Sequence, residues 1–194
     1  MTNLRVELQE STHPDWVHAI LADFDSFLQD HANCERKASA LAMSLVVKAP
    51  ERERIVPTLI AIAREELAHF ESVYALMRAR NLPLVKDEPD PYVNALLQHL
   101  RSRPAARFLD RLLIFSLVEC RGAERFGILA RALPEPALRH FYKTLWGTEA
   151  KHGNQFVEMA LACFDEAEVY RRANELADAE ATVIRALPWR ASLH

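Results

Sequence analysis

The chain has 194 residues, enough for one substantial core and short for two independent ones, so a single domain over residues 1–194 is expected. Half of the residues are hydrophobic and 26% are charged, which excludes a disordered chain; the net charge of −3 excludes an overall basic coat but leaves room for a local cationic patch. Four glycines against many Ala, Leu, Glu and Arg indicate an all-α protein of long helices and short connections.

The first long helix is predicted from about Pro14 to Lys48, with a break near Ala22 to Asp25 and Ser11 or Thr12 as its cap. Its apolar stripe reads Phe24, Leu28, Ala38, Leu41, Ala42 and Leu45, and Glu35 falls on that stripe. A second helix, about Glu51 to Arg80, places Leu59, Ile62, Ala63, Phe70, Val73 and Met77 on the face that also carries Glu66 and His69. The proline-rich stretch Asn81 to Pro91 is a loop, followed by a short helix from Tyr92 to about Arg101.

The third long helix, about Ala105 to Leu133, surrounds Glu119 with Leu112, Phe115, Ser116, Ala123, Phe126 and Ala130. The fourth, about Glu135 to Phe164, surrounds Glu149 and His152 with Leu138, Leu145, Trp146, Phe156 and Ala160. A more polar last helix, Asp165 to Leu187, is expected to pack outside these four.

The six polar residues on these stripes form an internal repeat. Glu35 precedes the Glu66-x-x-His69 pair by 31 residues, and Glu119 precedes Glu149-x-x-His152 by 30. At about 1.5 Å of rise per residue, an antiparallel hairpin turning at Pro50 brings Glu66 level with Glu35, and one turning at Pro134 to Pro136 brings Glu149 level with Glu119. Residues 81–104 are long enough to cross the length of a bundle between the hairpins. A Glu from each of two helices and a Glu-x-x-His from each of two others is the ligand pattern of a ferritin-like four-helix bundle with one long crossover, here with a short crossover helix and a C-terminal helix added.

Glu and His at i and i+3 share a helix face, so each pair offers an oxygen and a nitrogen to one ion. Four carboxylates balance two divalent ions, which makes the burial of so many acids tolerable. Mixed oxygen and imidazole donors favour iron or manganese, without choosing between them. The expected metal ligands are therefore Glu35, Glu66, His69, Glu119, Glu149 and His152. The plainer reading, buried ion pairs with Arg36, Arg64 or Lys151, leaves the repeat unexplained.

Glu124 is set aside because it misses the ligand plane by roughly 7 Å. His31 lies one turn before Glu35, either facing the site or as an ordinary buried histidine, and Tyr142 lies two turns before Glu149, with core packing favoured. Cys34, Cys120 and Cys163 form no close pair, so neither a disulfide framework nor a thiolate metal module is expected. The opening MTNLRVELQE lacks the apolar core of a signal peptide and no run is long enough to span a membrane, so a cytoplasmic protein is expected.

The segments CERKASALA, AREELAHFESV, SLVECRGAERF and TEAKHGNQF, which contain the six ligand positions, resemble the tRNA hydroxylases that act on 2-methylthio-N6-isopentenyladenosine. The resemblance covers most of the chain and is carried mainly by ECRGAERF and REELAHFE. It implies a ferritin-like di-iron monooxygenase that takes O2 as co-substrate and hydroxylates the isopentenyl side chain in the tRNA anticodon loop. Two electrons from outside are then needed per turnover, and with no flavin or ferredoxin motif in the chain a separate reductase is implied.

Arg78, Arg80, Lys86, Arg101, Arg103 and Arg107 flank the crossover and are candidates for phosphate contacts, diluted by Asp87, Glu88 and Asp90. The alternatives are another ferritin-like di-iron oxidase or oxygenase acting on a small molecule, a ferroxidase or iron-binding protein, and manganese catalase-like chemistry. The oligomeric state is left open.

Overall fold

The computed structural model describes residues 6–48 and 50–194; the first five residues of the opening segment lie outside these. Among the described residues there are seven α-helices and no strand: α1 (Pro14–Ala22), α2 (Phe24–Lys48), α3 (Val56–Ala79), α4 (Pro91–Leu97), α5 (Pro104–Ala132), α6 (Pro136–Cys163) and α7 (Glu166–Ala186). They form two compact units. One holds α1–α3 and residues 189–193; the other holds residues up to His13, α4–α7 and His194.

In the first unit α2 and α3 form a long antiparallel pair. The expected break falls at Asp23, whose carboxylate accepts the N–H of Ser26 and so starts α2. Trp16 of α1 is fully buried edge-on against Phe27, and its indole N–H donates to Ser192 O at 3.0 Å. The second helix begins at Val56 instead of Glu51, after a 3-10 turn over Glu53–Ile55. Pro57 has no N–H to donate and therefore suits the first turn.

α3 ends in a Schellman arrangement: Asn81 adopts φ 59°, and the Leu82 N–H reaches back to Met77 O at 2.9 Å. From there residues 83–88 run along α2, which holds them through Gln29 to Pro83 O, Asn33 to Val85 O, and Arg36 and Lys37 to Asp87.

The second unit is built on the α5–α6 pair. The short helix ends at Leu97, four residues sooner than expected, because the chain tightens into three-residue turns over Gln98 to Leu100. Asp90 caps α4, Asp165 caps α7, and Pro91, Pro104 and Pro136 open α4, α5 and α6.

Most of α5 is buried, since α6 covers one side and α4 and α7 another. α7 is amphipathic, not simply polar; it buries Val169, Ala173, Leu176, Ala177, Ala181 and Ile184. Trp146, expected in the core, is 41% exposed. Its ring rests against Gly127 and walls a cleft of about 430 Å³ with Arg131, Cys120 and residues 6–11.

Candidate metal-binding site

One side-chain to backbone hydrogen bond fixes the register of each hairpin. Ser39 Oγ donates to Ala63 O at 2.7 Å across α2 and α3, and Ser116 Oγ donates to Gly153 O at 2.8 Å across α5 and α6. The paired positions sum to 102 and 269, against 101 for Glu35 with Glu66 and 268 for Glu119 with Glu149. Each lone glutamate is thus level with the Glu-x-x-His pair of its own hairpin. Gly153 is what lets α5 and α6 approach here, because a Cβ on it would stand 2.8 Å from Cys120 Sγ and 3.4 Å from Ser116 O.

In the first unit Glu35 and Glu66 are buried and His69 is 13% exposed. His69 Nδ1 lies 3.3 Å from Glu66 Oε2 and 3.8 Å from Glu35 Oε2, and each of the three residues offers a donor atom within 4.8 Å of the others. His31, fully buried and stacked on Phe27, places Nε2 2.5 Å from Glu35 Oε1. It therefore orients a carboxylate of the cluster. That is more than the ordinary buried histidine which sequence alone favours.

The second unit repeats the arrangement with Glu119, Glu149 and His152. His152 Nδ1 lies 3.6 Å from Glu149 Oε2, and the three offer donor atoms within 4.8 Å of one another. Tyr142 is fully buried against Phe126 and Phe141, as core packing requires. Two carboxylates and one imidazole converging on a buried spot fit a hard or borderline divalent ion, and without a cation the two acids would repel. Arg36, Arg64 and Lys151 are all exposed, and Arg36 pairs with Asp87 on the surface, which sets them apart from the fully buried cations that the plainer reading calls for.

Glu124 is engaged elsewhere. Its carboxylate accepts the N–H and hydroxyl of Thr12, at 2.9 and 2.6 Å, and a hydrogen bond from Arg121. Thr12, expected as a helix cap, is thereby an anchor for the N-terminal segment. Arg121 is completely buried, with Nε 2.9 Å and Nη2 2.8 Å from Glu180 Oε1, and the Tyr92 hydroxyl donates to the same oxygen at 2.8 Å. Burial and the facing Glu180 carboxylate raise the Tyr92 hydroxyl well above its ordinary range.

Buried Arg125 stands beside this group, and burial pulls its guanidinium down to about 10. The segment ECRGAERF thus has two jobs. Glu119 faces the metal cluster, while Arg121, Glu124 and Arg125 lock α5 to α4, α7 and the segment before α1. Sequence reading missed these roles of Thr12, Tyr92 and Glu180 because they are remote in the chain from the residues they hold.

Of the candidate phosphate-binding residues, Arg80 hydrogen-bonds Asp25 at 2.8 Å and Arg101 is held by Asp110 and Glu168. Arg78, Lys86, Arg103 and Arg107 are exposed.

Comparison with known proteins gives a consistent assignment. A relative from Pseudomonas putida strain KT2440, named tRNA 2-(methylsulfanyl)-N(6)-isopentenyladenosine(37) hydroxylase, is 35% identical over 173 residues, covering 89% of this chain and 84% of the relative. One of the same name from Salmonella typhimurium strain LT2 is 30% identical over 135 residues, covering 70% of this chain and 49% of the relative. A solved structure named Protein 43 with aldehyde deformylating oxygenase activity, from Synechococcus, matches with a TM-score of 0.91 at 32% identity, over 96% of this chain and 94% of that one. The fold is therefore the all-α, ferritin-like one expected. The family model described as tRNA-(MS[2]IO[6]A)-hydroxylase (MiaE) matches residues 2–194, and the chain belongs to that family.

Proposed function

We propose that the protein is a di-iron, O2-dependent monooxygenase that hydroxylates the isopentenyl side chain of 2-methylthio-N6-isopentenyladenosine in tRNA. The observation that carries this reading is the duplicated cluster: two hairpins of a tRNA-hydroxylase family member each bring a buried Glu level with a Glu-x-x-His pair. Glu35, Glu66 and His69 would hold one iron, and Glu119, Glu149 and His152 would hold the other. A di-iron centre supplies the activation of O2, so that a C–H bond of the side chain becomes C–OH and the second oxygen leaves as water, with two electrons and two protons consumed.

The residues supply orientation and exclusion of water. His31 fixes the rotamer of Glu35 through its Nε2, and the helices that carry the carboxylates are lined by buried apolar residues, Phe27 and Leu28 in the first unit and Phe115, Phe126 and Phe156 in the second, which exclude bulk water. The electrons come from a separate reductase. The enzyme works in the cytoplasm with its tRNA; among the described residues no helix is long and apolar enough to cross a membrane.

The test is nucleoside analysis of tRNA from cells with and without the gene. Deletion should remove the hydroxylated isopentenyl adenosine and leave its unhydroxylated precursor; an unchanged ratio would rule out this substrate. A second reading, a di-iron oxygenase acting on a small apolar molecule, is favoured by the likeness to the Synechococcus protein, whose name carries aldehyde deformylating oxygenase activity. It would then show turnover of a free aldehyde or alkyl substrate with no effect on tRNA.

A further inference from the structure

Arg103, Arg107 and Arg111 stand at intervals of four residues at the start of α5, so they form one stripe rising about 6 Å per step. Arg103 and Arg107 are exposed and Arg111 is half-buried, and among the described residues none of the three has a hydrogen-bonded or ion-paired acid. The one acid within a turn of Arg107 is Asp110. It is fully buried and taken by others: Arg101 donates to it from its backbone N–H and guanidinium, and Arg172 Nε donates at 2.8 Å. Those bonds hold the Asp110 carboxyl below its ordinary range against the cost of burial, so it stays committed to Arg101 and Arg172.

Such a stripe works against the fold. Like charges at i and i+4 repel, and cations at a helix N-terminus oppose the helix dipole. Arg103 occupies the N-cap position without making a side-chain cap hydrogen bond. The strain is visible at Arg111, whose guanidinium is pulled below its ordinary value by burial and by the charge of Arg107. Four other arginines in this part of the chain are paired with acids: Arg101 and Arg172 with Asp110, Arg121 with Glu180, and Arg171 with Glu175.

Resting on the functional reading above, we propose that the Arg103–Arg107–Arg111 stripe grips the phosphate backbone of the tRNA substrate. A guanidinium fork matches a phosphate in geometry, and three forks on successive turns fit a backbone with a charge at every nucleotide. Arg111 lies on the same helix as Glu119, eight residues or about 12 Å before it, so the grip and the metal cluster belong to one rigid element.

The experiment compares the full-length protein with the triple variant R103Q/R107Q/R111Q. It measures binding of a fluorescently labelled anticodon stem-loop carrying the isopentenyl adenosine, at salt from 50 to 200 mM. Each phosphate contact contributes about 0.7–0.9 to the slope of log affinity against log salt, so losing three lowers that slope by about 2–3. Over this range the wild-type affinity should fall about 20- to 40-fold further than that of the variant.

The variant should also bind more weakly at 50 mM, yet melt no lower than the wild type in low salt, since the repulsion is gone. If the wild type hydroxylates this RNA while the triple variant binds it with unchanged affinity and slope, the stripe assignment falls and the enzyme reading stands. If the wild type leaves the RNA unmodified, both fall. Unchanged RNA binding with slower reductase-supported turnover would place an acidic protein partner on the stripe instead.

Discussion

Replacing Glu180 by Gln should destabilise the protein more than the loss of one surface acid would. Glu180 is fully buried on α7 and accepts hydrogen bonds from Arg121 Nε, from Arg121 Nη2 and from the Tyr92 hydroxyl. The substitution removes the charge but keeps the shape, so Arg121 remains buried facing a neutral amide. Breaking a buried pair in this way typically costs about 3–5 kcal/mol, and Arg121 keeps its bond to Glu124, so the lower end, about 3 kcal/mol, applies here.

For a chain of this size each kcal/mol is worth roughly 2–4 °C, so the apo protein should melt about 6–12 °C lower by circular dichroism. A double replacement, Arg121→Met with Glu180→Leu, removes both charges together and should recover much of that loss. A fall of less than about 3 °C for Glu180→Gln, or a double variant no better than the single one, would show that this pair does not lock α5 in place.

Glu124→Ala should keep the full metal complement, because Glu124 bonds Thr12 and Arg121 and not the metal cluster; it should cost about 1–3 kcal/mol in a denaturant melt. His31→Phe removes the hydrogen bond to Glu35 while keeping a ring against Phe27, and should weaken iron affinity about 10- to 100-fold in a chelator competition, with helix content unchanged. Gly153→Ala forces a methyl against Cys120 Sγ and should cost about 1–3 kcal/mol, with partial recovery when Cys120→Ala is added; equal melting of the single and double variants would contradict the close approach of α5 and α6.

The ligand-bearing parts of the fold were legible because they obey local rules. Apolar periodicity placed Leu59, Ile62, Val73 and Met77 on one face with Glu66 and His69. Counting residues from Pro50 and from Pro134 to Pro136 gave the level of each glutamate, which Ser39 and Ser116 then fix by hydrogen bond.

What stayed hidden was pairing between polar residues far apart in sequence. Periodicity cannot tell that Arg121 is fully buried against Glu180, 59 positions away, or that Asp110 is claimed by Arg172, which is what leaves Arg107 without it. Trp146 misled because its helical phase points near the core, while the actual contact, a ring resting on Gly127, leaves it at the surface.

Metal stoichiometry after anaerobic loading with ferrous iron tests the central claim most directly. The wild type should retain about two irons per chain after desalting, and Glu66→Ala, His69→Ala, Glu149→Ala and His152→Ala should each lose stable two-iron binding while keeping their helix content by circular dichroism. A wild type that holds no iron, one that loads hundreds of atoms per assembly, or ligand variants that still hold two would contradict the account.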